Sequence, residues 1–230
     1  TYQSGSTVTF TNTYIPTSQL KVEKLITGGD VNKQFEFSVV LGGTGDYTCS
    51  LYKNGTLVQD VDGDGDVDSD DTLYDNSTLS IALKSNDYIV ITGLPVGTPY
   101  TVTENSYVTE GYVSSLTSNT TTGSVLSDGS TVSVTNTYQT NDLTVSKSVT
   151  GPAPATDTFT FTVEMNGDPF PGTFSYVYSD DEPGAPLHTS SDGTFTLKDG
   201  QSATLKGIPA GATYTVTETA DSAYTTSSGT

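Results

Sequence analysis

The feature that most restricts what this chain can fold into is an internal repeat held at a nearly constant offset. LKVEKLITGGDVNKQFEFSVVL (20–41) aligns with LTVSKSVTGPAPATDTFTFTVEM (143–165), VITGLPVGTPYTVTE (90–104) with TLKGIPAGATYTVTE (204–218), and TVTFTNTY (7–14) with TVSVTNTY (131–138). Lys24 and Lys147 stand 123 positions apart, and Asn12 and Asn136 stand 124 apart. Such spacing over several motifs marks one structural plan used twice. Within each copy, short β-rich runs are separated by clusters of Gly, Asn, Asp and Pro, the signature of antiparallel strands and turns. No stretch carries a sustained helical period. The 230 residues are enough for two cores, and the expected fold is all-β, two sandwiches in tandem.

The phase of the repeat is uneven. The second copy runs from Lys147 through Glu218 to Thr230 without a TNTY strand, while a spare TNTY strand opens the chain. The expected organisation is therefore residues 1–16 as a closing strand for a neighbouring domain or subunit, 17–139 as a first sandwich, and 140–230 as a second sandwich lacking its own last strand. Two accounts are open. The chain is a piece of a longer tandem array, or residues 1–14 complete the second sandwich of a neighbouring copy and hide its open edge. Repeated head to tail, the second arrangement builds a filament.

Composition narrows the function. Arg and Trp are absent, and 27 acidic residues against eight Lys give a net charge of -19. Nucleic acid and anionic membranes call for a basic surface, so both are excluded as partners. The single Cys49 cannot form a disulfide within the chain, so stability must come from packing or another cross-link. No signal peptide or membrane span is read in the sequence, and Thr1 in place of a start Met suggests a processed product or a fragment.

Strand parity singles out three polar residues. Leu20, Val22 and Lys24 share a face, as do Leu143, Val145 and Lys147; Tyr100, Val102 and Glu104 are matched by Tyr214, Val216 and Glu218. Val132, Val134, Asn136 and Tyr138 share a face too, with Val8, Phe10, Asn12 and Tyr14 as their counterparts. Each copy thus aims a Lys and a Glu into a core, and Asn136 joins the first pair. A buried Lys–Glu ion pair with a hydrogen-bonded Asn is the simplest account, but such a pair is expensive to desolvate. A chemical use explains the trio better. Burial disfavours charge, so a neutral amine can attack the Asn carboxamide while a protonated carboxyl polarises it and carries protons as ammonia leaves. Lys21, the nearest competitor, falls on the outward face.

The combination VxKxxTG, YTVTE and VTNTY resembles the tandem immunoglobulin-like (CnaB-like) domains of Gram-positive pilins and surface adhesins, which form intramolecular Lys–Asn isopeptide bonds. The resemblance covers nearly the whole chain. It implies Lys on the first strand, Asn on the last and a catalytic Glu between: Lys24 bonded to Asn136 with Glu104 as catalyst. It also implies that Lys147 and Glu218 await an Asn that does not follow them, with Asn12 as a spare acceptor.

Residues 60–71, DVDGDGDVDSDD, form the second constellation. Asp60, Asp62 and Asp64 occupy positions 1, 3 and 5 of a twelve-residue calcium loop, Gly65 the turn at 6, Asp66 position 7, Asp68 position 9 and Asp71 position 12. The pattern resembles the loops of EF-hand and dockerin modules, with Asp where EF-hands place Glu at position 12. A solvated acidic linker is the plain alternative. With Ca2+ as cofactor, the ion would rigidify an insertion in the first sandwich. His188 is expected at the surface of a Pro- and Gly-rich loop, and 113–131 as loop and hairpin.

The function expected from these features is mechanical: a subunit of an extracellular fibre on the surface of a Gram-positive cell, a pilus or adhesin stalk. Its partners would be copies of itself, with a host surface ligand and no nucleic acid or membrane insertion. Enzymatic turnover on an external substrate is not expected, because the reactive trio is consumed in one event. Two rivals are a ligand-binding adhesin domain that uses the first-domain insertion, and a passive spacer repeat of a cell-wall protein.

Overall fold

A computed structural model describes residues 7, 9–43, 47–58, 72–73, 78–170 and 172–227. Alternation of apolar and polar residues produces strands almost throughout, as expected. The first part of the chain supplies β1 (Thr17–Thr27), β2 (Phe35–Leu41), β3 (Tyr47–Lys53), β4 (Thr56–Val58), β5 (Thr72–Leu73), β6 (Thr78–Leu83), β7 (Tyr88–Pro95), β8 (Pro99–Glu104), β9 (Tyr112–Ser114), β10 (Thr120–Ser124) and β11 (Ser130–Tyr138). The second part supplies β12 (Thr140–Ser146), β13 (Phe159–Met165), β14 (Asp168–Pro169), β15 (Phe174–Tyr178), β16 (His188–Ser190), β17 (Thr194–Leu197), β18 (Ser202–Pro209) and β19 (Tyr214–Glu218). Within 113–131, expected as loop and hairpin, β10 is a strand paired with β8. Thr and Ser are β-compatible, and Thr103 and Thr120 share a hydroxyl hydrogen bond of 3.2 Å across the pair.

The first sandwich sets a seven-stranded sheet, β4-β3-β7-β1-β11-β9 with β5 also on β3, against a four-stranded sheet, β10-β8-β2-β6. Its core is formed by the inward positions of both, among them Leu20, Val22, Phe35, Val39, Leu83, Ile89, Ile91, Val102 and Val134, each fully buried. Each such side chain stabilises the fold by about 1.5–3 kcal/mol relative to exposure. The second sandwich repeats the plan. Order β12-β18-β15 matches β1-β7-β3, and β13 between β17 and β19 matches β2 between β6 and β8. Its core gathers Phe159, Phe161, Val163, Phe174, Phe195, Leu197, Leu205 and Ile208. Two hairpins, at different places in the plan, use the same turn: Asn54-Gly55 joins β3 to β4 and Asn166-Gly167 joins β13 to β14, all four residues at positive φ. That is the two-residue hairpin loop in which Asn and Gly tolerate the left-handed conformation.

By backbone proximity the chain forms two compact units, Thr1–Ile26 with Asp30–Asn105 and Ser115–Thr135, and Thr27–Gly29 with Ser106–Ser114 and Asn136–Thr230. Strand pairing assigns β11 as one continuous strand to the seven-stranded sheet.

The opening stretch, expected to close a neighbouring domain or subunit, joins no sheet of its own chain among the described residues. Residues 7–14 do not form a strand facing a core: the described positions there, 7 and 9–14, are irregular and exposed, with Phe10 and Tyr14 at 89% and 84% exposure. A strand is held by hydrogen bonds to a neighbouring backbone, and among the described residues none pairs with this stretch. Val8 lies outside the described residues.

Candidate functional site

Lys24 and Glu104 meet in the interior of the first sandwich, contributed by opposite sheets, and Asn136 is buried on β11. β1 alternates so that Leu20, Val22 and Lys24 point inward, and β7 fixes its register by pairing Leu20 with Ile91 and Val22 with Ile89. Past that ladder, the Lys24 amide donates to the Asp87 carbonyl at 2.9 Å, and the Asn86 amide donates to the Lys24 carbonyl at 2.8 Å. Glu104 ends β8 in the facing sheet, opposite Phe37 of β2. Asn136 lies on β11, next to β1 in the sheet and paired with Ser114 of β9. The three residues are 0%, 1% and 1% exposed.

Parity alone explains why all three point inward; it does not explain why the fold tolerates them. Glu104 Oε1 stands 3.0 Å from Lys24 Nζ with both side chains wholly inaccessible. That separation is an ion-pair distance, yet the bond directions are not those of a hydrogen bond. Lys24 Nζ, both Glu104 oxygens and Asn136 Oδ1 make no hydrogen bond among the described residues. Buried polar atoms left in that state are costly, by roughly 1–3 kcal/mol each. The amine also lies over aromatic faces, 4.2 Å from the Phe35 ring centre and 5.9 Å from that of Phe37. Burial pushes Lys24 below its ordinary value of 10.5, and the Glu104 carboxylate opposes that shift without cancelling it. A deprotonated amine is a nucleophile, and a carboxyl within reach can take and return protons.

The aromatic wall of Phe35 and Phe37 was not singled out from the sequence. Its signal was present in the aligned FEFSV and FTFTV segments, where Phe35 and Phe37 recur as Phe159 and Phe161. Lys21, as expected, lies outward, paired with Glu23 and 4.4 Å over the Tyr88 ring.

In the second sandwich Lys147 Nζ donates to both oxygens of Glu218, at 2.8 and 2.9 Å. This pair is 12% and 8% exposed. Asn12 is exposed and meets neither residue within the chain. His188 sits on the short strand β16, its side chain 41% exposed, with Nε2 3.2 Å from Asp181 Oδ1; three residue pairs with β15 make strand of what the sequence presented as loop.

The acidic constellation Asp60, Asp62, Asp64, Asp66, Asp68 and Asp71 lies outside the described residues. The flanking strands do constrain it. Val58 of β4 faces Leu51, and Thr72 of β5 faces Thr48, on β3. Val58 and Thr72 therefore stand about 10 Å apart along β3.

Comparison with solved structures gives similarity to proteins of pili. A major pilin (T-13) of Streptococcus pyogenes is 16% identical over 91% of this chain and 83% of its own, with a TM-score of 0.47. Another major pilin of Streptococcus pyogenes is 24% identical, covering 53% of this chain and 47% of that one at a TM-score of 0.41. A pilus-presented adhesin, Spy0125 (Cpa), is 22% identical over 54% and 28%, at a TM-score of 0.40. The chain spans from about a quarter to a half of the length of such relatives, 28% and 47% in the latter two. No curated protein matches the sequence. A family model matches twice, over residues 18–138 and 141–230, and the chain belongs to that family, described as Domain of unknown function (DUF7601).

Proposed function

We propose that the chain is a structural segment of an extracellular fibre, a pilus or adhesin stalk on a Gram-positive cell, whose first sandwich is closed by an autocatalytic bond between Lys24 and Asn136. The observation that carries this reading is the burial of an amine, a carboxyl and a carboxamide together with their polar atoms unsatisfied. In the reaction, Lys24 Nζ, deprotonated, attacks Asn136 Cγ. Glu104 donates a proton to the carboxamide oxygen and then returns protons to the departing nitrogen. The Nζ–Cγ bond forms, the Cγ–Nδ2 bond breaks, and one ammonia leaves. The product is a neutral amide, so Lys24 can no longer carry a charge in the core.

The mechanical consequence follows from strand order. β1 and β11 are the first and last strands of the sandwich and neighbours in one sheet. A covalent tie between them carries tension directly from one to the other, so load does not unzip the intervening strands. Calcium in the 60–71 loop stiffens the insertion on β3, and residues 1–16, of which 9–14 join no strand ladder among the described residues, are donated to the next copy to continue the filament. The site acts once on itself and does not turn over an external substrate. Among the described residues no helix is long and apolar enough to cross a membrane.

Intact mass of the folded chain tests the reading: it should lie below the sequence mass by one ammonia, and peptide mapping should join the Lys24 and Asn136 fragments. An unaltered mass would remove the bond and the mechanical role with it.

A further inference from the structure

The two Asn-Gly turns are alike in backbone and unlike in how their side chains are held. Asn54 and Gly55 have φ of 49° and 78°, Asn166 and Gly167 of 54° and 87°. All four residues are exposed, and a side chain placed at either glycine would meet nothing within 4 Å. Water therefore reaches the peptide bond between Asn and Gly in both turns.

Asn166 is tied down at its backbone and at both ends of its carboxamide. Its amide donates to the Thr213 carbonyl at 2.8 Å. Its Oδ1 accepts from the Thr213 amide at 3.0 Å, and its Nδ2 donates to the Thr109 carbonyl at 3.1 Å, all within one compact unit. β19 runs alongside, pairing Tyr214 with Met165, the residue before Asn166. Asn54 has no such ties among the described residues. Its hairpin rests on three residue pairs, Leu51 with Val58, Tyr52 with Leu57 and Lys53 with Thr56, and β4 is the outermost strand of its sheet. A short edge hairpin opens locally at a smaller cost than a turn held from both sides.

We propose that Asn54 is a site of spontaneous covalent modification, closing a ring with Gly55 that water opens to aspartate and isoaspartate, and that Asn166 in the same turn is protected. The pairing of Lys53 with Thr56 leaves the Gly55 amide outside the ladder, so base in the solvent can take its proton. Glycine has no Cβ to crowd that nitrogen and passes easily between backbone conformations. The Gly55 nitrogen attacks Asn54 Cγ, the Cγ–Nδ2 bond breaks, and ammonia leaves with a proton from water. Water then opens the ring. Opening at Cγ leaves aspartate at position 54; opening at the backbone carbonyl leaves isoaspartate, with the chain routed through the former side chain. Water is the only co-reactant, and nothing is oxidised or reduced. The turn must leave its left-handed form for the nitrogen to reach Cγ, which the loosely tied hairpin permits and the hydrogen bonds of Asn166 resist. Either product adds a carboxylate to the hairpin that leads into residues 60–71.

The full-length protein, held at mildly alkaline pH and sampled over time, provides the test. Peptide mapping locates the change, and a protein isoaspartyl methyltransferase marks the isoaspartate. The peptide containing 54–55 should convert through a ring form short of one ammonia, faster as pH rises. The peptide containing 166–167 should lag by more than about tenfold, the scale of breaking one or two hydrogen bonds before the ring can close. In urea the two should convert at similar rates, because the reacting pair is the same and only the fold distinguishes them. Equal conversion of both in the folded protein would overturn the protection of Asn166. Asn54 intact in the folded protein while it converts in urea would overturn the site. The Lys24–Asn136 bond is read separately, since its ammonia loss falls in other peptides.

Discussion

Replacing Glu104 by Gln separates the chemistry of the trio from its packing. The substitution keeps shape and volume but removes the group that takes and returns protons, so Lys24 and Asn136 should remain unlinked. The bond between them closes a loop of roughly 110 residues, and on the chain-entropy model such a closure stabilises the folded state by about 5 kcal/mol at room temperature. Losing it consumes a large part of the roughly 5–15 kcal/mol that ordinarily separates a folded domain from its unfolded chain. For a domain of this size each kcal/mol shifts the melting temperature by about 4 °C, so the first sandwich should melt about 20 °C lower. Loss of the Lys24 partner inside the core adds to that figure, since a buried amine without a carboxylate is further destabilised. Intact mass and calorimetry on the same sample provide the assay. The variant should weigh what its sequence dictates, while the unaltered protein weighs one ammonia less than its own. A variant that still loses ammonia would exclude Glu104 from the reaction. Equal melting of the two proteins, with neither linked, would reduce the trio to a buried ion pair.

In Asn136→Ala the amine of Lys24 stays free and titrates. Folded Lys24 binds its proton less tightly than the unfolded chain does, so from its depressed value up to 10.5 stability should rise with pH; urea midpoints between neutral and alkaline pH, compared with Asn136→Ala/Lys24→Met, would contradict this if the two variants ran parallel. Calcium added to metal-free protein should raise the melting temperature of the first sandwich, and Asp62→Asn with Asp64→Asn should abolish the shift; no heat of binding and no shift would exclude the loop as a site. Burial pushes the Cys49 thiol up to about 12, so it should resist a thiol reagent at mildly alkaline pH until the protein unfolds, and rapid labelling of folded protein would show the core to be open. Leu205→Ala, at a fully buried position of the second sandwich, should cost about 2–5 kcal/mol by the cavity it leaves while leaving the ammonia loss of the first sandwich intact.

Much of this molecule could be read from the order of its residues, because a strand's two faces alternate and the repeat shows the alternation twice. Period two was enough to place Leu20, Val22 and Lys24 on one face, to set Lys21 on the other, and to find Glu104 and Asn136 inward on strands far apart in sequence. The sandwich class followed from the same runs and the turns between them. Parity states which face a residue occupies and says nothing of what lies across the core. That Phe35 and Phe37 wall in the Lys24 amine, and that Glu104 reaches it at 3.0 Å from the opposing sheet, depends on how two sheets stack. Pairing partners were equally hidden. TVTFTNTY and TVSVTNTY are almost the same sequence, yet one is a central strand and the other is exposed chain, because a strand exists only where a neighbouring edge accepts its hydrogen bonds. Residue pattern determined which faces could be buried; the assembled sheets alone decided which edges were filled, since backbone pairing is a property of two segments and never of one.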